Sequence, residues 1–336
     1  MATRLPSGNY RTRVLIGRDD EGKRVYKSFT GSTANEADLK ALQFKAKFSA
    51  TESPQKTFLK CSGEFLRLNS KTLSVTTLRG YSSMHRKLAS DYKSFSGLAI
   101  ANIDGKALKK FINTLAAERS PKTVRNYYGY ICEVLRANDC PVPSCTLPQK
   151  KRPNLNIPDE ETIKKLFEVV KGTDLEVPVM LGAIVPMRRG EIVAAQLEDL
   201  DENNILHIHR SIAVGEKGVV VEKPPKTESS DRYVELPAEL ADKIREQGYI
   251  CNISIKALSN RFCRALRRAG IEHFRFHDLR HAFVSIAHAA GIPDAYIMSR
   301  GGWATSYTVN NVYRHVLDKD RKKMEKTVND TLKGLF

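Results

Sequence analysis

The chain has 336 residues, 41% of them hydrophobic and 28% charged, and its 55 lysines and arginines against 38 acidic residues leave a net charge of +17. That length exceeds one ordinary core and predicts two or three domains; the charge makes a polyanion the natural partner, the alternative being a soluble basic protein without one. No apolar run reaches the roughly 18 residues of a membrane span, the amino-terminal stretch lacks the apolar core of a secretory signal, and the six irregularly spaced cysteines exclude a disulfide framework. Cys140 and Cys145 form a C-x4-C pair with no second pair at zinc-ribbon spacing, so no metal is expected. The reading is a reducing cytoplasm.

Residues 1–50 read as a β-rich module followed by a helix. Tyr10–Ile16 and Arg24–Phe29 have strand character, and Thr33 or Asn35 is placed to cap the helix, with Ala37, Ala41 and Phe44 on one side. Arg11, Arg13, Lys23, Arg24 and Lys27 decorate the strands; a basic sheet face fits a DNA groove, and equally a solvated surface. Between the strands, Gly17-Arg-Asp-Asp-Glu-Gly-Lys-Arg24 resembles a phosphate-binding loop in outline. It ends in Arg where Ser or Thr should stand, carries three acidic residues, and bridges two strands instead of opening a helix, so it reads as a hairpin turn.

After the linker-like stretch at 51–55, helical periodicity runs through 57–69, 75–92, 104–118 and 120–137. The last window opens with Ser120 as N-cap and Pro121 at the first helical position. Lys122, Arg125, Tyr127 and Tyr128 on it suit phosphate and sugar contacts, or an exposed charge beside a core. Residues 140–153 carry four prolines and the run Lys150-Lys151-Arg152, a stiff segment suited to a path along a phosphate backbone. The main domain boundary is placed there. Residues 155–336 then have helices on either side of extended stretches at Ile205–His209, Gly218–Glu222 and Arg232–Leu236.

The residues suited to chemistry fall in this last segment. Arg188 opens a helical pattern beside Glu191, and Lys226 sits in a turn-like stretch ending at Arg232. His277-Asp-Leu-Arg280-His281 puts His277 and Arg280 on one helical face, Gly301-Gly302-Trp303 follows, and Tyr313 comes ten residues after Trp303. Singly each has a structural reading: Arg188 as an ion-pair partner of Glu191, His277 as a capping or core residue, Tyr313 as an interface aromatic.

As an ordered set, Arg188…Lys226…His277-x-x-Arg280…Trp303…Tyr313 resembles the catalytic constellation of the tyrosine recombinase (phage integrase) family. The resemblance implies DNA strand cleavage and rejoining through a 3′-phosphotyrosine on Tyr313, with no metal or nucleotide cofactor. It implies Arg188 and Arg280 on the non-bridging phosphate oxygens, Lys226 as general acid, His277 sharing the tyrosine proton, and Trp303 donating its indole N–H. Lys223 is the alternative acid, and Tyr307 a second tyrosine at the wrong spacing. Two positions depart from the family's pattern: Trp303 where histidine is usual, and Val185-Pro-Met before Arg188 where a glycine-containing turn is commoner.

The fold class implied is mainly α with small β elements, in three domains. These are an arm-type DNA-binding module of three strands and a helix at 1–50, a helical (SAM-like) core-binding bundle at 57–139, and a mixed α/β catalytic domain with a C-terminal tail at 155–336. Implied partners are double-stranded DNA at core and arm-type sites, further copies of the chain in a tetramer on DNA, and accessory excision or DNA-bending factors. Met324, Val328, Leu332 and Leu335 recur at helical spacing in the tail, which either docks on a neighbouring protomer or closes its own domain. A topoisomerase-like relaxing enzyme and a non-catalytic DNA-binding regulator are the competing readings.

Overall fold

A computed structural model describes residues 2–18, 24–51, 56–150, 156–224, 228–307 and 309–310, with residues 326, 329, 330 and 333 of the tail. Lys23, Lys151, Arg152, Lys226, Tyr313 and the hydrophobic positions of the tail lie outside the described residues. The chain divides into two units, Met1–Leu73 with Gly80–Lys151, and Ser74–Arg79 with Arg152–Phe336.

In the first unit, strands β1 (Thr3–Arg4), β2 (Tyr10–Arg18) and β3 (Arg24–Gly31) form an antiparallel sheet in the order β1-β2-β3, followed by helix α1 (Ala34–Thr51). Arg18 pairs with Arg24, so the glycine-bounded stretch between them joins two antiparallel strands, as a hairpin requires. Thr33 is the residue that caps α1, accepting from the Glu36 N–H, while Asn35 lies inside the helix. Strand alternation sorts the basic residues. Thr12 and Val14 are buried with Ala37 and Ala41, and Thr12 Oγ1 donates to Asp38 Oδ1 at 2.6 Å. Arg11, Arg13 and Leu15 therefore share the opposite face, where Leu15 pairs with exposed Tyr26. Lys27 sits across from Val14, and its Nζ lies 4.4 Å from the Phe44 ring centroid.

The bundle consists of α2 (Phe58–Leu68), α3 (Val75–Ser90), the short α4 (Lys93–Ser96), α5 (Gly105–Glu118) and α6 (Pro121–Arg136). Thr57, Asp104 and Ser120 cap α2, α5 and α6 through side-chain oxygens, satisfying N–H groups that have no helical partner. Aromatic rings fill the core, with Phe95 stacked on Phe111 at 4.1 Å. Ser62 Oγ joins Tyr130 Oη at 2.6 Å and His85 Nδ1 at 2.7 Å, so these three side chains satisfy one another within the core.

Tyr127 belongs to that core, not to a DNA-facing surface: it is 4% exposed and packs edge-on against Tyr92. It shares the helical stripe of Val124, Ile131 and Val134, and only tertiary burial distinguishes that stripe from its flank. The proline segment also differs from expectation. Cys140, Val142, Cys145 and Leu147 pack on the bundle core; Arg125 Nη2 donates to Pro148 O at 2.9 Å and Tyr128 Oη to Pro143 O at 3.4 Å. Arg125 and Tyr128 thus hold the segment down, whereas Lys122 and Lys150 stay exposed.

The second unit contains α7 (Glu160–Val170), α8 (Glu176–Ile184), α9 (Arg189–Ala194), strands β4 (Ile205–Ile208), β5 (Ser211–Val214), β6 (Val220–Lys223) and β7 (Arg232–Glu235), then α10 (Ala238–Gln247), α11 (Ile255–Arg268), α12 (Asp278–Ala289) and α13 (Asp294–Gly301). The strands make two antiparallel ribbons, β4 with β7 and β5 with β6. Helix α8 is apolar nearly all round, with Val177, Val179, Leu181 and Ala183 buried, as a central helix must be. A Cβ at Gly182 would lie 3.0 Å from Leu279 Cδ1 and 3.2 Å from the Phe276 ring, so the glycine lets α12 approach α8 closely. That approach brings Arg280 towards the loop that follows α8. Among the described residues no helix is long and apolar enough to cross a membrane.

Candidate active site

Helix α8 stops where Val185-Pro186 intervenes, and proline cannot continue the helical hydrogen bonding. Arg188 then takes an extended conformation (φ −73°, ψ 147°) as the N-cap of α9. Its backbone N–H donates to Glu191 Oε2 at 2.9 Å and its Nη1 to Glu191 Oε1 at 2.6 Å. Nη1 also reaches Ser230 Oγ at 3.2 Å, and Nη2 donates to Gly302 O at 3.1 Å. The ion pair suggested by the i, i+3 spacing of Arg188 and Glu191 is therefore present, and it orients the arginine.

The turn that aims Arg188 depends on a close approach at Gly190, where a Cβ would lie 2.5 Å from Ile212 O and 2.7 Å from Ser211 Oγ on β5. Gly190→Ala is expected to force β5 off α9 and lower stability by about 1–3 kcal/mol, measured by urea unfolding. A variant as stable as the parent would show that this contact yields without cost.

Glu191 carries two guanidinium groups. Its side chain is 5% exposed, and Arg232 Nη2 donates to Oε2 at 3.1 Å in addition to the Arg188 bonds. Burial pushes this carboxyl up, but Arg232 and Arg188, with Arg280 beyond them, reverse the effect and hold it below the usual carboxylate range.

Arg280 lies in the first turn of α12 and is 1% exposed. One donor, Nη2, meets Gly301 O at 2.9 Å, while Nε and Nη1 are buried with no acceptor among the described residues. Burial, and next the neighbouring Arg188 cation, press its pKa downward, and Glu191 opposes them. An arginine remains charged through such pressure, so two unanswered donors on a buried cation favour an anion at this point.

Trp303 covers the same guanidinium, with Arg280 Cζ 4.4 Å from its ring, an arrangement that adds cation–π attraction. The two preceding glycines make the fold-back feasible. A Cβ at Gly301 would fall inside the tryptophan ring system, and Gly302 ends α13 in the left-handed region at φ +66°.

His277 stands at the N-cap position of α12 and packs edge-on against His281, their rings 5.3 Å apart. It faces a cavity of about 440 Å³ also lined by Arg189, Ser259, Cys263, His273 and Arg275. Burial, followed by the Arg280 cation, pulls the His277 pKa down to about 4, so the imidazole is neutral at neutral pH and able to accept a proton. His281 is lowered too, chiefly by burial.

Because the folded-state pKa of His277 lies below the unfolded one, its stabilising contribution is complete above about pH 6.5 and is lost as pH falls towards about 4. The loss is on the order of 3 kcal/mol at its limit. His277→Gln is expected to flatten the fall in urea midpoint between pH 7 and pH 4.5. An unchanged slope would place the acid sensitivity elsewhere.

Arg188, Arg280 and Trp303 thus meet at the turn of Gly301 to Trp303, and the His277 imidazole lies within electrostatic reach of both arginines. Lys223, the alternative acid, ends β6 opposite Ser211, the residue in close approach to Gly190. Tyr307 is 75% exposed, two residues before fully buried Val309. Three residues of this neighbourhood, Ser230, Arg232 and the carbonyl-bearing Gly302, carried no assigned role in the sequence.

Residues 159–320 match the family model described as the phage integrase family. A XerC-like tyrosine recombinase of Caldanaerobacter subterraneus subsp. tengcongensis is 24% identical over 96% of each chain. The integrase of Staphylococcus phage L54a is 23% identical over 82% of this chain and 94% of its own. Among solved structures, the Tn1549 transposon integrase in complex with transposon right end DNA superimposes with a TM-score of 0.63 at 16% identity, covering 81% of this chain and all of that one. A lambda integrase tetramer bound to a Holliday junction gives 0.60 at 14% identity over 93% of this chain and 94% of that one. These similarities support a DNA strand transferase of the tyrosine recombinase class. Residues 159–320 carry the match to the phage integrase family, and these relatives and solved structures, tyrosine recombinases and integrases, support site-specific recombination of a mobile element.

Proposed function

We propose that the chain integrates or excises a mobile element, such as a prophage or conjugative transposon, by cutting and rejoining DNA through a 3′-phosphotyrosine on Tyr313. The observation that carries this reading is Arg280: a buried guanidinium with two unanswered donors, under Trp303 and beside His277 and Arg188. A phosphodiester in transfer gathers negative charge on its non-bridging oxygens, and preorganised guanidinium donors in a dry site stabilise that charge strongly. Arg280 and Arg188 fill this role, and Trp303 adds an N–H donor that cannot exchange a proton. Neutral His277 accepts the Tyr313 proton as the phenol attacks. Lys226, or Lys223 in its place, protonates the departing 5′-oxygen. The phosphotyrosine bond conserves the energy of the broken linkage, so rejoining needs no nucleotide and no metal.

The proposed domains are the sheet module at 1–50 for arm-type sites, the bundle at 57–139 for core sites, and 155–336 for catalysis. Arg11 and Arg13, with Lys23 and Arg24, are the assigned arm contacts. Lys27 stands on the α1 side of the sheet and is a weaker contact for it. Lys122, Lys150, Lys151 and Arg152 are assigned to core-site phosphates; Arg125 and Tyr128 contribute there by shaping the surface that α6 and the proline segment form. By analogy with the lambda integrase tetramer, the chain assembles as a tetramer on DNA, with accessory bending or excision factors, in the bacterial cytoplasm at the nucleoid.

Recombination between two plasmid-borne sites taken from the ends of the element, in EDTA and without ATP, tests this reading. Recombinant product is expected. Relaxation of supercoils without recombinants would instead favour the topoisomerase-like reading, and a strict metal requirement would contradict the mechanism.

A further inference from the structure

Arg232 heads a strand whose inward positions are Arg232 and Val234, so its guanidinium enters the protein where an apolar side chain would be ordinary. It is 7% exposed, and all three of its nitrogens donate inward. Nη2 reaches Glu191 Oε2 at 3.1 Å, Nη1 reaches Ser230 O at 3.1 Å, and Nε reaches Arg300 O at 2.9 Å. These acceptors belong to three separate pieces of chain: the start of α9, the segment before β7, and the end of α13. Arg188 bonds to the same three pieces, at Glu191, Ser230 and Gly302. One guanidinium at the surface of the site and one beneath it therefore fasten the same parts.

The two differ in what they offer a substrate. Arg188 is 37% exposed in its side chain, whereas Arg232 is 6% exposed and its nitrogens are already engaged. Burial pulls the Arg232 pKa down while Glu191 raises it, so the pair is mutually dependent. Lysine cannot replace it, because a single ammonium lacks the rigid fork that reaches three acceptors in different directions.

We infer that Arg232 is a positioning residue for strand cleavage: it locks Glu191, and with it Arg188, in register with the turn that carries Gly302 and Trp303. It touches no substrate atom. This rests on the reading of Arg188 as a ligand of the scissile phosphate.

The test compares Arg232→Lys and Arg188→Ala on a duplex carrying the mapped cleavage site, with either the native phosphodiester or a methylphosphonate at the scissile position. A methylphosphonate replaces one charged oxygen by a neutral methyl group, so its cleavage depends less on aligned guanidinium donors. On native DNA, Arg232→Lys is expected to cleave about 100-fold more slowly than the parent, the scale of one misplaced preorganised donor. Its DNA affinity should stay within about 3-fold of the parent's, because its charge is kept and it makes no phosphate contact. On the methylphosphonate the deficits of both variants relative to the parent should shrink to about 10-fold or less.

Shrinkage for Arg188→Ala but an equal deficit on both substrates for Arg232→Lys would overturn the positioning role and leave the reading of Arg188 intact. No shrinkage for Arg188→Ala would overturn both. Should Arg232→Lys fail to fold, Glu191→Gln with Arg232→Met removes the buried charges together, and the same comparison applies: a deficit equal on both substrates would mean that the cluster only supports the fold.

Discussion

Replacing Arg280 with alanine is expected to slow DNA cleavage by about 1,000-fold or more, corresponding to about 4 kcal/mol of transition-state stabilisation. The magnitude follows from the site's construction. Arg280 is 1% exposed, so whatever charge its Nε and Nη1 meet is met away from water, where each donor acts more strongly than at a surface. The alanine variant also strips Trp303 of the cation it covers and leaves Gly301 O without its donor. DNA affinity should fall only a few-fold, since many phosphate contacts elsewhere share the binding energy. Single-turnover cleavage under saturating protein separates the two quantities. Undiminished cleavage would remove Arg280 from the phosphate, and with it the assignment of the site.

The second large effect concerns the nucleophile. Tyr313→Phe removes one oxygen and is expected to abolish strand transfer while DNA binding is unchanged, because phenylalanine preserves the ring but offers no attacking atom. Tyr307 should not substitute. It lies four residues beyond Trp303 where the attacking tyrosine is expected at ten, and rate falls by orders of magnitude when an attacking atom is misplaced by even about 1 Å. Gel-shift affinity and recombinant yield, measured on the same preparation, check both halves of the expectation. Residual recombination by the phenylalanine variant, lost when Tyr307→Phe is added, would transfer the role to Tyr307.

Much of this was legible in the sequence because the informative patterns are local. The helix windows of the bundle agree with the observed helices to within a few residues, and the Ser120-Pro121 start of α6 is a cap whose chemistry is written in two adjacent residues. The residue β5 contributes to the site was not legible: Ser211–Val214 is four residues long, and its pairing with β6 is a tertiary fact. The same holds for Arg232. Its strand was read as alternating, and alternation with Val234 and Leu236 buried would have turned the arginine inward, but the sequence does not contain the three acceptors that make a buried guanidinium tolerable. The proline segment misled in the opposite direction. Its lysines and prolines suggested an extended path along phosphates, while the recurring apolar residues Cys140, Val142, Cys145 and Leu147 were the quieter signal that it packs on the bundle. The order of Arg188, His277, Arg280 and Trp303 along the chain and the Arg188–Glu191 ion pair were legible; that Glu191 also takes Arg232, and that the carbonyls of Gly301 and Gly302 hold the two arginines, was not.

The most direct measurement is to trap and map the covalent linkage. Protein and DNA spanning the element's own ends are incubated in EDTA without ATP, quenched with SDS, and digested with nuclease and trypsin, and the nucleotide-bearing peptide is sequenced by mass spectrometry. Cleavage after Arg300 and Arg314 leaves Tyr307 and Tyr313 on one peptide, so fragment ions must separate them. The account predicts a nucleotide linked through its 3′-phosphate to Tyr313. A linkage to Tyr307 or to a serine, or no linkage from protein that binds and recombines the DNA, would contradict it.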